Sequence, residues 1–286
     1  MSKSESYKRI MNQRGLKSFK ALIEKWDRLS GNLEGRRMGV PIILPDLLLI
    51  SRSGSGRSRL LRLLSDYLCD EGKLMRFSGE TTCFEFMLGY CPPSQSFTEL
   101  PRLMDEVSRA AGFRGEYRGI IFIDIDEWRD HFEEKYFEIF LEYIADNSDE
   151  WLVVFSLTPR GGYDMHNIEA FISSYLRIEK LEIEPPTSDE LLEYAGELLD
   201  GYGLRLTPRA RAVIGESITV LSRNRYFDGY KTVKSLCRDL AYNIYVDGPR
   251  CAGFVSEDAV SHFAKDGEYI ASLLVKIEKT NKIGFC

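Results

Sequence analysis

A short glycine-containing turn between two apolar segments is the first feature of the sequence that could do chemistry. It reads Ser51-x-x-x-x-Gly56-Arg57-Ser58, close to the phosphate-binding pattern G-x-x-x-x-G-K-[ST]. Gly54 and Gly56 allow backbone N–H groups to converge on an anion, and a helix that begins near Ser58 adds unpaired donors and the positive end of its dipole. Two residues depart from the pattern, since Ser51 replaces the first glycine and Arg57 replaces the lysine. The turn predicts a phosphate site, with a ligand-free Gly/Ser turn as the alternative.

A carboxylate at the end of an apolar segment is the second feature. The segment GIIFID, which ends at Asp124, is typical of a buried strand whose terminal acid holds a metal ion in nucleotide-hydrolysing P-loop proteins. The next position, where a glutamate would polarise the attacking water, is Ile125. The nearest acids are Asp126, which strand alternation points the same way as Asp124, and Glu127. We therefore predict Asp124 as a metal ligand and Asp126 and Glu127 as candidate catalytic acids, although Glu127 also fits a solvated helix start.

The elements around these features alternate between short apolar strands and amphipathic helices. Apolar spacing predicts helices over 11–33, 59–69, 100–111 and 133–145, and strands over 47–50, 120–124 and 151–157. This order favours a parallel β-sheet covered by helices on both faces. Beyond Pro185 the pattern becomes helical, and Thr187 with Glu190 predicts a capping box. We predict an α/β fold with a P-loop sheet domain at residues 1–184 and a small α-helical domain at residues 185–286.

Composition narrows the class of function. The chain has 286 residues, a net charge of −6 and 44% hydrophobic residues, which suits a folded globular protein. The acidic balance argues against a large surface for duplex nucleic acid. The sequence has no apolar run long enough to span a membrane and no secretory signal pattern, so we expect a cytoplasmic protein. The six cysteines and three histidines lack the spacing of metal ligands, and no zinc site is predicted.

Taken together, the ordered motifs resemble those of the AAA+ ATPases, most closely the branch that includes the red-type RuBisCO activases. The turn stands at the position of Walker A, and GIIFIDIDEW stands at Walker B. The segment Leu152 to Arg160 is similar to a sensor 1 strand, Thr187 to Ile214 to the start of the helical lid, and Asp228 to Leu236 to a sensor 2 helix. The resemblance implies an AAA+ core with a small α-helical lid.

The resemblance also implies a ligand set and partners. Thr158 stands at sensor 1 and Lys231 at sensor 2. The residues predicted to bind ATP or ADP are Ser53, Gly54, Ser55, Gly56, Arg57, Ser58, Arg59, Thr158 and Lys231. Ser58 and Asp124 are the predicted Mg²⁺ ligands. The expected partners are a protein client and other subunits of a homo- or hetero-oligomeric ring, whereas a membrane and nucleic acid are not expected.

Several positions depart from what the family uses for catalysis. Thr158 stands at the sensor 1 position, where an asparagine is usual. Ser174 stands where the trans-acting arginine is expected, and Arg177 and Arg160 are displaced candidates for that arginine. A hydrolytic transition state needs metal, positioned water and added positive charge together. We therefore expect a degenerate AAA+ protein that binds ATP or ADP and serves as a regulatory or structural subunit with little or no hydrolysis.

Two other functions stay open at this point. One is an active AAA+ ATPase that remodels a protein client, in which Phe86 or Tyr90 could line a central pore, although such aromatic residues are more often core. The other is a nucleotide-free scaffold in which Arg52, Arg57 and Arg59 bind an acidic protein surface.

Overall fold

The chain folds into two compact units. The computed structural model describes residues 3–13, 15–33, 44–71, 82–87, 102, 105, 119–146, 152–159, 165–223, 227–246 and 253–260. The first unit comprises Met1–Arg52 and Arg57–Glu184, and the second comprises Ser53–Gly56 and Pro185–Cys286. Residues 53–56 of the glycine-containing turn therefore belong to the second unit, although Arg52 and Arg57 on either side of them belong to the first.

The first unit is built on a five-stranded parallel sheet. Its strands are β1 (Asp46–Ser51), β2 (Thr82–Met87), β3 (Gly119–Asp124), β4 (Leu152–Leu157) and β5 (Ile178–Ile183), in the order β2-β3-β4-β1-β5. All four strand pairs are parallel, which confirms the predicted sheet. Because β4 lies between β1 and β3, the carboxyl ends of these three strands are neighbours at one edge of the sheet, where ligands bind in such folds.

Helices cover both faces of this sheet. They are α1 (Glu5–Met11), α2 (Lys17–Leu33), α3 (Arg57–Asp70), α4 (Lys135–Asp146) and α5 (His166–Ser173). Leu47 and Leu49 of β1 pack in the core under α1, α2 and α3, whereas Leu48 and Ile50 pack under α4 and α5. A strand that is buried on both faces has no solvent-exposed face that needs polar residues. This explains why the sequence of β1 is a nearly continuous run of apolar residues.

The N-terminal helix differs from the prediction. Apolar spacing predicted one helix over 11–33, but the structure has α1 and then α2, separated by a turn. Gly15 and Leu16 have φ values of 66° and 52°, and this left-handed backbone cannot continue an α-helix. The predicted helix over 100–111 lies outside the described residues, apart from Arg102 and Asp105.

The second unit is largely helical. It contains α6 (Ser188–Gly201), α7 (Pro208–Ser222) and α8 (Gly229–Val246), which bury a common apolar core. A pair of two-residue strands, β6 (Arg205–Leu206) and β7 (Phe254–Val255), joins parallel to each other beside these helices. Two residues are too few to show strand periodicity, so the sequence pattern did not reveal this pair. Across the described ranges, none of the helices is long and apolar enough to cross a membrane.

The start of α6 provides a local test of the fold. The Thr187 hydroxyl accepts a hydrogen bond from the Glu190 N–H, and the Glu190 carboxylate accepts one from the Thr187 N–H, so the predicted capping box is present. We expect Thr187→Ala to lower the free energy of unfolding of the second unit by about 1 kcal/mol, because one helix-end donor loses its acceptor. Urea unfolding followed by circular dichroism measures this loss. Ser188→Ala, one position later, is the matched control and is expected to change stability by less than half as much.

Candidate functional site

The turn between β1 and α3 presents a row of backbone donors. Gly54 and Gly56 have φ values of 73° and 88°, a left-handed conformation that favours glycine. In the described part of the chain, the amide groups of Ser55, Gly56, Arg57 and Ser58 donate to no backbone carbonyl, as is usual at the start of a helix. Ser55 is buried, and its hydroxyl also finds no hydrogen-bond partner there. These donors fit an anion such as a phosphate group.

The same glycines pack against the start of α8, within the second unit. A side-chain carbon added at Gly54 would lie 2.1 Å from the backbone oxygen of Asp228, and one added at Gly56 would lie 3.3 Å from the ring of Tyr230. The Gly54 carbonyl accepts a hydrogen bond of 3.0 Å from the Tyr230 N–H. The close approach of backbone to backbone therefore requires glycine at position 54, whether or not a ligand binds.

Lys231 is held beside this contact. Its ammonium Nζ lies 3.6 Å from Oδ2 of Asp228, whose side chain is only 7% exposed. The other carboxylate oxygen of Asp228 lies 2.6 Å from the position that a side-chain carbon on Gly54 would take. The predicted sensor 2 cation thus neutralises a buried acid next to the turn.

Arg57 extends from the first turn of α3 to the ends of two strands. Its guanidinium donates to Oδ2 of Asp124, at the end of β3, over 3.2 Å, and to the hydroxyl of Ser156, on β4, over 2.7 Å. The two side chains of the ion pair are 23% and 20% exposed, so the pair is shielded from most of the solvent. Asp124 and Ser156 are paired in register across the sheet, which places both acceptors within reach of one guanidinium.

Both oxygens of the Asp124 carboxylate are engaged. Oδ2 accepts from Arg57, and Oδ1 accepts from the backbone N–H of Asp126 over 3.0 Å. Burial raises the pKa of the Asp124 carboxyl above its ordinary value, while the Asp126 N–H and the Arg57 guanidinium lower it in part. The predicted metal ligand is therefore an acceptor that the protein already satisfies with its own donors.

This arrangement does not fit a Mg²⁺ ion held by Asp124. A guanidinium at 3.2 Å from Oδ2 occupies one side of the carboxylate, and its positive charge repels a divalent cation. Throughout the residues that the structure describes, no group of three or more His, Cys, Asp or Glu side chains forms a metal site. The donors of the turn fit a phosphate, but the acid at the end of β3 pairs with an arginine.

Asp126 connects the ends of β3 and β4. Its Oδ1 accepts from the backbone N–H of Thr158 and from the guanidinium of Arg129, each over 2.6 Å. Arg129 also donates to the Thr158 carbonyl, and its side chain is only 1% exposed. Asp126 and Thr158, predicted as a catalytic acid and a sensor, are thus joined to each other and to a buried arginine.

The remaining predicted residues spread outward from the turn. Glu127 lies in a short 3-10 helix (Asp126–Trp128) and is exposed. Ser53 and Ser58 are also exposed, at the turn and in the first turn of α3. Arg59 donates to the side-chain oxygen of Gln13, so its guanidinium is directed to the N-terminal region.

The predicted arginine substitutes and pore residues are only partly described. Ser174 is exposed, and its hydroxyl donates to the Phe171 carbonyl over 2.6 Å. Arg177 is exposed, whereas Arg160 and Tyr90 lie outside the described residues. Phe86 belongs to β2, and the structure does not describe its side chain. The pore hypothesis therefore stays a prediction.

Two side chains of the site were not predicted from the sequence. Ser156 is the one hydroxyl in the otherwise apolar strand LVVFSL, and a buried polar residue in such a strand is a usable signal. Arg129 follows Asp126 by three residues, a spacing that allows contact within one helical turn. The sequence contains both signals, but neither belongs to a phosphate-binding motif.

Solved structures with a similar fold exist, although sequence comparison finds no match. No protein-family model matches the sequence, and no curated protein sequence matches it. The fold is similar to that of Hsp104, in a closed-state reconstruction with ATPγS and FITC casein, with a TM-score of 0.51 and 14% identity over 97% of this chain and 47% of that one. It is also similar to C. elegans PCH-2, with a TM-score of 0.53 and 10% identity over 92% of this chain and 69% of that one.

Both proteins are AAA+ ATPases, and the chain has the AAA+ fold, as the sequence motifs predicted. It spans about half the length of the Hsp104 chain that it matches. At 10% and 14% identity, the likeness concerns the fold, and the function rests on the site.

Proposed function

We propose that this chain is a regulatory or structural subunit of a protein assembly that binds ATP or ADP at the turn after β1 and hydrolyses it slowly or not at all. The observation that carries the proposal is the hydrogen-bonded ion pair between Arg57 and Asp124. The turn after β1 fits a phosphate group, whereas Asp124, which pairs with Arg57, does not fit the metal ion of a hydrolytic site.

The physical argument concerns charge at the end of β3. Bringing Mg²⁺ to Asp124 requires the guanidinium to leave both Asp124 and Ser156, and a partly buried charge that loses its partners costs several kcal/mol. A nucleotide does not need that displacement, because its phosphates are attracted by free amides and a helix start. Binding without hydrolysis would still affect an assembly, since a ligand shifts a conformational equilibrium by its differential affinity.

The proposed partners follow from the fold and not from any described surface. Hsp104 was imaged with ATPγS and casein, and we propose by analogy that this chain also acts with a protein partner in a homo- or hetero-oligomeric ring. Its position beside the red-type RuBisCO activases, inferred from motif order, belongs to the same proposal.

One observation favours a second function. The glycines of the turn are already required by the start of α8, since Gly54 approaches Asp228 and Gly56 approaches Tyr230. Glycine at these positions therefore has a purely structural explanation, and a nucleotide-free scaffold would keep the same residues. Measured nucleotide affinity separates the two functions.

We expect the full chain to bind a fluorescent ATP analogue saturably, with the same affinity in Mg²⁺ and in EDTA, and to release no phosphate from ATP. In Arg57→Lys, the compact ammonium does not hold Asp124 and Ser156 together, so the affinity is expected to become Mg²⁺-dependent by about tenfold. Fluorescence titration and a phosphate-release assay measure both quantities. Arg62→Lys, an exposed position on α3, is the matched control and should behave as the parent chain.

Other results would select the alternatives. Phosphate release that disappears in Asp124→Ala would indicate an active ATPase and would contradict the proposal. The absence of nucleotide binding in both buffers would leave the scaffold function.

A further inference from the structure

Large apolar side chains that reach solvent are concentrated in the second unit. Among the described residues, the exposed ones are Tyr202, Val220, Tyr242, Tyr245, Val246 and Phe254. All of them belong to this unit, and four are aromatic. A folded chain seldom leaves contiguous apolar surface open to water, and such a surface commonly marks an interaction site.

The aromatic side chains form one surface, which we call the aromatic patch and define as Tyr202, Tyr242, Tyr245 and Phe254. The Tyr245 hydroxyl donates a hydrogen bond to the Tyr202 carbonyl, so the end of α8 lies against the residue that follows α6. Tyr242 precedes Tyr245 by three residues on α8 and shares its helix face. Both rings remain at least 60% exposed, so the fold itself does not cover them.

Two glycines connect the end of α8 to β7. A side-chain carbon added at Gly203 would lie 3.6 Å from the Tyr245 hydroxyl. One added at Gly253 would lie 3.5 Å from the Gly203 carbonyl oxygen, and Phe254 is the next residue. The aromatic patch therefore continues from α8 to β7 across a surface that has no side chains of its own.

Exposed cations border the aromatic patch. Arg238 precedes Tyr242 by four residues on α8, and Lys234 precedes Arg238 by four, so they continue the same helix face. Arg205, on β6, is exposed and stands in register with Phe254 on β7. The Arg238 side chain is 70% exposed, and its Nε lies 3.8 Å from Oδ1 of Asp239, a distance at which an exposed pair contributes little.

Positive charge beside apolar rings determines which partner fits. Tyrosine and arginine are the residue types that contribute most to protein interfaces, and their charges select a partner of opposite sign. The chain as a whole has a net charge of −6, so this basic border is a local feature. Asp200 is exposed two residues before Tyr202 and repels a continuous line of phosphates, which disfavours nucleic acid.

We propose that the aromatic patch binds a segment of a partner protein in which apolar side chains are interspersed with Asp and Glu. The apolar side chains pack on the rings of Tyr242, Tyr245 and Phe254, and the carboxylates pair with Arg238 and Arg205. The hydrogen bond of the Tyr245 hydroxyl orients its ring before the partner arrives, which lowers the entropy cost of binding. The proposal extends the role in a protein assembly, but its residues lie outside the turn after β1 and it stands without nucleotide binding.

The experiment selects random peptides from a phage-displayed library on the immobilised full chain. We expect the selected sequences to be enriched in Asp and Glu together with Leu, Phe or Trp. The tightest of them, made as a fluorescent peptide, should bind the parent chain saturably in an anisotropy titration. Arg238→Glu and Tyr242→Ala should each weaken its affinity by about tenfold or more, since one reverses a charge and the other removes an anchoring ring.

Val220→Ala and Arg223→Glu are the matched controls. Both positions are exposed at the C-terminal end of α7, whereas the N-terminal end of α7 meets β7 where the Thr207 N–H donates to the Val255 carbonyl. Val220 lies about 20 Å along the helix from this contact, at 1.5 Å per residue. Both controls should bind the peptide as the parent chain does, and all four variants should keep its circular dichroism spectrum and its affinity for the ATP analogue. Failure of nucleotide binding and failure of this surface are therefore separate results.

Several results would overturn the proposal. One is a selection that yields no enriched peptide, or only basic or uncharged ones. Equal affinity of Arg238→Glu and the parent chain for the peptide is another. Self-association in sedimentation that Tyr242→Ala abolishes would assign the aromatic patch to a second copy of the chain. Displacement of the peptide by a single-stranded oligonucleotide would assign it to nucleic acid.

Discussion

Gly54→Ala is expected to lower the free energy of unfolding of the second unit by about 3 kcal/mol. An alanine at φ 73° costs about 1–2 kcal/mol in backbone strain. Its side-chain carbon would also lie 2.1 Å from the Asp228 carbonyl oxygen, a backbone atom that cannot rotate away, so the start of α8 must move. That movement lengthens the hydrogen bond from the Tyr230 N–H to the Gly54 carbonyl.

Gly31→Ala provides the matched control for this substitution. No atom lies within 4 Å of the position of the new carbon at Gly31, and the residue is in α2, where alanine is favoured over glycine. Its stability should rise by about 0.5–1 kcal/mol. Urea unfolding of both variants, followed by circular dichroism and by hydrogen exchange of α8, measures the difference. Equal stabilities of Gly54→Ala and the parent chain would show that the turn and α8 are not in contact in solution.

Three of the five strands in the sheet of the first unit were predictable from the sequence for a simple reason, whereas β2 and β5 were not predicted. β1, β3 and β4 are buried on both faces, so each reads as a run of apolar residues, and β3 ends at Asp124, where the run ends. The break between α1 and α2 was not predictable, because apolar spacing continues across Gly15 and Leu16. The backbone conformation of these two residues interrupts the helix, and spacing does not report it.

The contacts of the Arg57 side chain are the part of the site that the sequence did not predict. The motif identified the turn and Asp124 separately, and it gave Arg57 the role of a phosphate ligand. Whether its guanidinium meets a phosphate or a carboxylate depends on β4 lying between β1 and β3, since Ser156 and Asp124 then stand side by side. Strand order is set by packing between distant segments, and no local pattern in the sequence encodes it.

A buried acid at the start of β1 gives the first unit an unusual dependence on pH. Asp46 is 5% exposed, and its Oδ1 accepts a hydrogen bond of 2.8 Å from the Val153 N–H. Burial raises the pKa of this carboxyl from 3.8 to about 7, against the smaller opposite effect of that hydrogen bond. The folded chain therefore binds a proton at Asp46 between these two pH values, whereas the unfolded chain has already released it.

The sign of the effect follows from proton linkage. Because the folded state binds more protons, the contribution of Asp46 to stability is fully present below pH 3.8 and is lost as the pH rises to about 7. The loss reaches about 1.4 kcal/mol per pH unit inside this window. This trend is opposite to that of an acid whose pKa a salt bridge lowers. The Asp124 carboxyl, whose pKa burial also raises, contributes in the same direction, so a variant at position 46 is needed to assign the effect.

Asp46→Asn should remove this decline. The side-chain oxygen of asparagine still accepts from the Val153 N–H, and it carries no charge to bury, so the variant should be about 4 kcal/mol more stable than the parent chain at pH 8 and similar to it near pH 4. Urea unfolding between pH 4 and pH 8 measures both curves. Asp66→Asn, which changes an exposed acid paired with Arg9, controls for removal of a carboxylate and should keep the slope of the parent chain. Parallel curves for Asp46→Asn and the parent chain would mean that Asp46 stays ionised, with solvent reaching the start of β1.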